Sequence, residues 1–373
     1  MPKQCSMLIN NQPMKGTFIM KTRILSLIFS LALLFSLASC NLSDLLNKAD
    51  KNETSEGAPV DVRVYTLNGT TGFGMAKLME DAAAGAFTNE KYTFSVKTDA
   101  SEVLTALANG SVDIAALPTN AASVIYNKTQ GKVKMLAINT LGCLFLLNRS
   151  GTEVTSVAEL GGKTVYAPAQ NPTFILTYLC QQNGLDVITS GTPNANQVLI
   201  DSTSYAQPAN LRDAFVAKES QVELAVLPEP MVTIAETKAT AAQIALNQKL
   251  DLTAEWDKIP GKANTLVQGC IVVRTEFLEK NPQAVANFMK AYEASINYLN
   301  ENVEDAANLV AKHGIFENAA VAKRAIPKCN VKFVDGEEMK TATAAYLEII
   351  KGINPAAIGG AVPADDFYYH ANN

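Results

Sequence analysis

Ser111-Val112-Asp113-Ile114-Ala115-Ala116-Leu117-Pro118-Thr119-Asn120 is echoed later in the chain by Gln221-Val222-Glu223-Leu224-Ala225-Val226-Leu227-Pro228-Glu229-Pro230. Each copy is a short apolar run that ends in Leu-Pro, with a helical pattern before and after it. Apolar runs of this length bounded by turn signals suit buried strands. A weaker echo joins Val64-Tyr65, with the Gly/Thr loop and helix that follow, to Val165-Tyr166, the loop Ala169-Gln170-Asn171-Pro172-Thr173 and a helix to about Gln182. Each half therefore holds a strand–loop–helix followed by a strand–Leu-Pro–helix. This arrangement predicts two α/β lobes of one build, with mostly parallel sheets and helices on both faces. Ligands of open α/β sheets sit beyond the carboxyl ends of the strands. Four loops meet that description, two per lobe, and facing lobes would close on one ligand.

The flanking sequence fits the same plan. Val60 to Tyr65 alternates with period 2, and a helix is expected from about Phe73 to Ala84. Ser101–Ala108 reads as helix, Val112–Leu117 as strand, and Asn120–Asn127 as the start of another helix. Two long apolar runs, Met135–Leu147 and Thr265–Val273, read as crossover strands, one leaving the first lobe and one returning. Lobe 1 is then residues 60–145 and 268–373, and lobe 2 is residues 146–267. Near the C-terminus, Pro282 follows Asn281 at a helix start. Val285, Phe288, Met289, Tyr292, Ile296 and Leu299 form an apolar stripe on that helix. A second helix runs from Asn302 to Lys312 and stops at Gly314.

The N-terminus reads as an export signal. Lys21 and Arg23 precede an apolar stretch, Ile24–Ala38, that ends in Leu37-Ala38-Ser39-Cys40. A basic start, about 7–15 apolar residues and small residues at the cleavage site describe a secretory signal. A membrane span needs about 20 apolar residues. Met20 reads as the natural start. Residues 41–59 are polar and read as a tether.

With 48% hydrophobic and 18% charged residues, the composition is that of a globular protein. The net charge of −5 and the lack of a basic cluster argue against a nucleic-acid partner. Neither the cysteines nor the two histidines, His313 and His370, are spaced as metal ligands, so no metal or other cofactor is expected. An exported compartment permits disulfides among Cys143, Cys180, Cys270 and Cys329. A Cys270–Cys329 bridge, a Cys143–Cys270 bridge and four free thiols all stay open, with the first favoured because it leaves the lobes free to move.

Taken together, these features resemble the solute-binding proteins of the nitrate, sulfonate and thiamine-precursor class of ABC importers. The resemblance spans about residues 60–370. It is carried by Gly69–Met75, Asn109-Gly110 through Asn120, Leu160–Tyr166, Leu227–Pro230, Gln268-Gly269-Cys270 with Glu276-Phe277, Val334–Met339 and Pro363–Tyr369. The Leu-Ala-Ser-Cys segment resembles a bacterial lipobox, which implies lipidation of Cys40. The resemblance implies a type II periplasmic-binding-protein fold, a two-lobed Venus flytrap with two crossover strands. It also implies a monomer that captures a small organic solute and docks on the membrane permease subunits of an importer. A sensor or surface binding protein without transport is one alternative. An enzyme of the same fold, of the thiamine-precursor or menaquinone type, is another.

The pocket loops implied by the resemblance give the candidate ligand-binding residues. Thr70, Thr71 and Gly72 lie at a helix start, where backbone amides can face an acceptor. Pro118, Thr119 and Asn120 form the second loop. Gln170, Asn171 and Thr173 form the third, and Glu229 belongs to the fourth. None of the four loops carries Arg or Lys. A buried carboxylate wants a donor or a cation. Glu229 therefore suits a neutral or amine-bearing ligand, or else it pairs with a protein Lys or caps a helix.

Overall fold

The structure is a computed structural model and describes residues 58–149 and 151–370. The expected signal, the Cys40 lipidation site and nearly all of the tether lie outside the described residues. Among the described residues no helix is long and apolar enough to cross a membrane.

Among the described residues twelve strands form two six-stranded sheets. In chain order they are β1 (Val60–Leu67), β2 (Glu90–Lys97), β3 (Ile114–Pro118), β4 (Val133–Thr140), β5 (Leu144–Asn148), β6 (Thr164–Tyr166), β7 (Asp186–Ile188), β8 (Gln197–Asp201), β9 (Leu224–Pro228), β10 (Leu250–Asp251), β11 (Gly269–Arg274) and β12 (Val331–Val334). The first sheet has the order β12-β4-β11-β3-β1-β2 and the second β10-β5-β9-β6-β8-β7. The Leu-Pro echo is visible in the pairing. β3 lies between parallel β1 and antiparallel β11, with Pro118 opposite Gly269. β9 lies between parallel β6 and antiparallel β5, with Pro228 opposite Leu144. Both echoed strands are buried up to the proline. Continuous apolar runs are what a strand covered on both faces requires.

The apolar run Met135–Leu147 is two strands rather than one crossover strand. β4 ends at Thr140 in the first sheet and β5 starts at Leu144 in the second. The break falls at Leu141-Gly142-Cys143. A Cβ on Gly142 would lie 2.2 Å from Thr253 Oγ1 and 2.6 Å from Leu266 Cδ2, so the backbone there presses against the returning chain. The run Thr265–Val273 is also only partly a strand. Residues 265–268 belong to no strand, Val267 N donating to Thr265 O, and the strand starts at Gly269. The expected Phe73–Ala84 helix is likewise split into Thr70–Phe73 and Ala76–Ala83. The stripe from Val285 to Leu299 is buried as read, although neither Asn281 nor Asn302 caps its helix through the side chain.

An aromatic contact joins the two halves. Trp256, the sole tryptophan, is fully buried with ring centroids 4.9 Å from Tyr178 and 6.1 Å from Tyr346. Tyr178 lies on the Asn171–Gln182 helix of the second half, and Tyr346 on the Gly336–Ile353 helix that follows β12. A polar contact of a different kind fixes the first sheet. Asp113 is 2% exposed and accepts from Arg63 Nε at 2.8 Å and from an Arg274 guanidinium nitrogen at 3.0 Å. Burial pushes the carboxyl up, yet the hydrogen bonds from Arg63 and Arg274 outweigh this and hold it below the ordinary Asp value.

Two predictions follow from packing. Asp113→Asn removes the charge that two guanidiniums share and should cost about 2–3 kcal/mol in urea unfolding, Arg63 being partly solvated. The hydroxyl of fully buried Tyr346 has no partner among the described residues. Tyr346→Phe should be neutral or stabilising by up to about 1 kcal/mol in the same assay, because it removes an unsatisfied polar group.

Candidate functional site

A cavity of about 490 Å³ opens between the two sheets at the carboxyl ends of their strands. Asn68–Thr71, Thr98, Pro118, Thr140 and Phe316 line it from the first half. Asn171, Gln207–Ala209 and Pro228–Met231 line it from the second, and Cys143 and Gln268 contribute from the connecting segments. The cavity therefore brings together one expected loop residue or more from each of the four loops: Thr70, Thr71, Pro118, Asn171 and Glu229.

A set of hydrogen bonds ties the segments of the cavity wall together. Thr70 Oγ1 donates to the backbone carbonyl of Glu229 at 2.7 Å and lies 3.6 Å from Cys329 Sγ. Glu229 N donates to Cys143 O at 3.0 Å, which fixes the Pro-Glu-Pro turn to the segment between β4 and β5. Cys143 N donates to Gln268 Oε1 at 2.7 Å, so the outgoing and returning segments are also tied together. Asn139 Nδ2 donates to Thr71 O at 3.0 Å and holds the first loop in place.

Glu229 is 2% exposed, and its carboxylate is compensated by the protein itself. Its oxygens accept from Thr233 N and Thr233 Oγ1, both at 3.1 Å, so the side chain caps the Met231–Ala242 helix. Lys328, on the first-sheet side, lies 3.8 Å from Glu229 and 3.5 Å from Glu236. Burial raises the Glu229 pKa, and the Thr233 bonds and Lys328 only partly offset it. Of the two roles left open for Glu229, the structure shows helix capping and lysine pairing; no ligand amine is needed to satisfy it.

The remaining expected residues lie outside the cavity lining. Gly72 is buried, and a Cβ there would sit 2.1 Å from Leu67 O and 2.8 Å from Ile315 Cγ2. Its lack of a side chain thus serves chain packing. Thr119 is fully buried, and its hydroxyl has no hydrogen-bond partner among the described residues. Asn120 faces the C-terminal segment, with Nδ2 donating to Ala357 O at 3.3 Å. Ser123 and Asn127 donate to Ile358 O from the same helix. Gln170 is exposed and holds a left-handed φ of 73° at the helix start. Thr173 Oγ1 donates back to Pro168 O at 2.9 Å.

Thr98, Thr140, Gln207, Pro208, Gln268 and Phe316 were not among the expected residues. For Thr98 and Gln207 the signal was present, since each follows the end of a parallel strand and precedes a helix, as the recognised loops do. Gln268 and Phe316 lie on segments without that pattern, and only the fold brings them in. The four cysteines among the described residues are free and buried, so neither the Cys270–Cys329 nor the Cys143–Cys270 bridge forms. Burial pushes the Cys143 thiol up to about 12. The described residues hold no cluster of three or more His, Cys, Asp or Glu side chains suited to a metal.

Three outcomes test this geometry. A carboxyl whose pKa is raised on folding adds stability that is complete below its unfolded value and is lost as pH rises through the folded value. Melting curves from pH 4 to 8 should therefore show wild type gaining stability relative to Glu229→Gln as pH falls, with the variant equal or better near neutrality. Gly72→Ala should cost about 1–3 kcal/mol from overpacking. Asn120→Ala should cost about 0.5–1.5 kcal/mol in chemical unfolding.

Comparison with known proteins places this geometry in a wider setting. A family model described as "Menaquinone biosynthesis" matches residues 182–348. No curated protein matches the chain. Among solved structures, an ABC transporter protein from Parabacteroides distasonis is similar with a TM-score of 0.66 and 22% identity, covering 84% of this chain and 100% of that one. The periplasmic aliphatic sulphonate-binding protein SsuA from Escherichia coli gives 0.62 and 13%, covering 84% and 92%. The alkanesulfonate-binding protein SsuA from Xanthomonas axonopodis pv. citri, bound to MOPS, gives 0.56 and 15%, covering 83% and 96%. The chain has the two-lobed α/β fold of these periplasmic binding proteins.

Proposed function

We propose that the chain is the substrate-binding component of an ABC importer, anchored outside the cytoplasm by lipid on Cys40. The observation that carries this reading is the cavity between the halves, lined by loops from both and bridged by the Thr70–Glu229 hydrogen bond. A volume of about 490 Å³ suits a small organic solute, since such pockets span ~300–1,000 Å³. Lobe 1 is residues 60–145 and 268–373, and lobe 2 is residues 146–267. Thr70, Thr71, Pro118, Asn171 and Glu229 belong to the cavity wall in this reading. Contacts made only when both lobes meet the solute shift an open–closed equilibrium. The closed monomer then docks on permease subunits.

The menaquinone family match favours a second reading, an enzyme of the same fold. The residues at the cavity support binding instead. Cys143, its thiol, stays protonated at neutral pH, with its pKa pushed up to about 12 by burial. His313 lies 2.9 Å from Glu80 and His370 lies 3.6 Å from Glu337, and neither lines the cavity. A nucleophile needs a base within reach.

Native mass spectrometry of the purified chain should show a retained small molecule released on denaturation with its mass unchanged. Thr70→Val should remain folded and retain less of it. A chain that converts the released molecule to a product on re-addition would support the enzyme. A chain that carries nothing and gains no thermal stability from its expression-host metabolite extract would contradict the binding reading.

A further inference from the structure

We propose that Lys328 and Arg324 form a clasp outside the cavity that holds the two halves together, and that through it they set solute affinity without touching the solute. The link to affinity rests on the solute-binding reading above, while the clasp itself is tested without solute.

The second half contributes one polar side of the Met231–Ala242 helix and the turn before it. Glu229, Thr233, Glu236 and Thr237 are spaced by four, three and one residues, which places them along one side of a helix. Hydrogen bonds run along that side. Thr233 Oγ1 donates to Glu229 at 3.1 Å, and Thr237 Oγ1 donates to Thr233 O at 2.7 Å. Lys249, also from the second half, pairs with Glu236.

The first half contributes two cations four residues apart. Arg324 lies in the last turn of the Ala319–Ala325 helix, and Lys328 ends the short turn that leads to β12. Lys328 Nζ lies 3.5 Å from Glu236 and 3.8 Å from Glu229. Among the described residues, Lys328 meets carboxylates of the second half alone. An Arg324 guanidinium nitrogen donates to Thr237 Oγ1 at 2.8 Å. The Thr237 proton is committed to Thr233 O, so the helix itself turns a hydroxyl lone pair toward Arg324.

Of these residues only Glu229 borders the cavity. Contacts made only while the halves meet favour the closed form of an open–closed equilibrium. Apparent affinity falls with the fraction of chain that is closed, so residues beyond the reach of the solute can set it. The Lys328 side chain is 34% exposed, so solvent screens its pairs and the effect is modest.

Single-molecule energy transfer tests the clasp in the full chain refolded free of solute, with dyes on azide side chains introduced at exposed Lys91 and Gln182, one in each half. Wild type should divide between a compact and an extended population. Lys328→Met should shift their ratio about two- to fivefold toward the extended one, the range a partly exposed ion pair supports. Arg324→Ala, which leaves the Lys328 pairs to Glu229 and Glu236 in place, should shift it in the same direction by less, and Lys328→Arg should restore it. Sodium chloride at about 0.5 M should move wild type toward the Lys328→Met ratio. A purely structural role would lower stability in urea and leave the ratio of the folded chain unchanged. Ratios equal to wild type in both Lys328→Met and Arg324→Ala overturn the inference, as does a single population throughout; if Lys328→Met fails to fold, Arg324→Ala and the salt response decide it. The small molecule retained by the purified chain should leave Lys328→Met faster by the same factor, and release at the wild-type rate overturns the link to affinity. A shifted ratio in a chain that retains no small molecule leaves the clasp standing and sinks the solute-binding reading.

Discussion

A carboxylate buried between two lobes must be compensated on the spot, and Glu229 shows how this chain does it. Its side chain caps one helix of the second half and faces Lys328 from the first. Its backbone N–H binds Cys143, in the segment where the chain crosses between sheets, and its carbonyl binds Thr70. One residue thus ties together the loop of the first lobe, the crossover segment and the helix start of the second. The cavity exists because these three meet around it. Isolated buried charges are costly, so the compensating groups are structural requirements rather than ornaments of the site.

Seen from that residue, the pseudo-symmetry of the molecule has a functional consequence. β3 and β9 are equivalent strands, each between one parallel and one antiparallel neighbour, and both deliver a proline to the cavity. After the proline the two loops diverge. Asn120 is committed to the C-terminal segment, whereas Glu229 is committed to its own helix and to Lys328. The loop after the proline therefore fastens a strap in one lobe and links both lobes in the other. Trp256, with Tyr178 and Tyr346 beside it, supplies an apolar contact that is less directional than hydrogen bonds.

Much of the fold was legible in the sequence because its strands are buried on both faces and read as apolar runs with sharp ends. The Leu-Pro repeat located both central strands, and the stripe from Val285 to Leu299 located the long helix. The crossover was less legible. Met135–Leu147 is apolar throughout, and hydrophobicity alone cannot show that Gly142 breaks it by pressing against Thr253 and Leu266. The candidate residues divide by where the fold places them. Thr70, Thr71, Pro118, Asn171 and Glu229 line the cavity, while Gly72, Thr119, Asn120, Gln170 and Thr173 do not. Small and polar residues at helix starts serve capping, packing and ligand contact alike, and only long-range partners such as Ala357 or Ile315 decide between them. The cysteines were undecidable for a related reason, since pairing depends on distances that spacing does not encode.

The central claim is that two lobes close on a solute across the Thr70–Glu229 contact. Small-angle X-ray scattering of the chain as purified with its solute, and again after the solute is removed by unfolding and refolding, tests it directly. The account predicts a larger radius of gyration for the emptied chain and a return to the compact value when the solute is restored. Superimposable scattering curves in all three states, with occupancy verified by mass spectrometry, would contradict it.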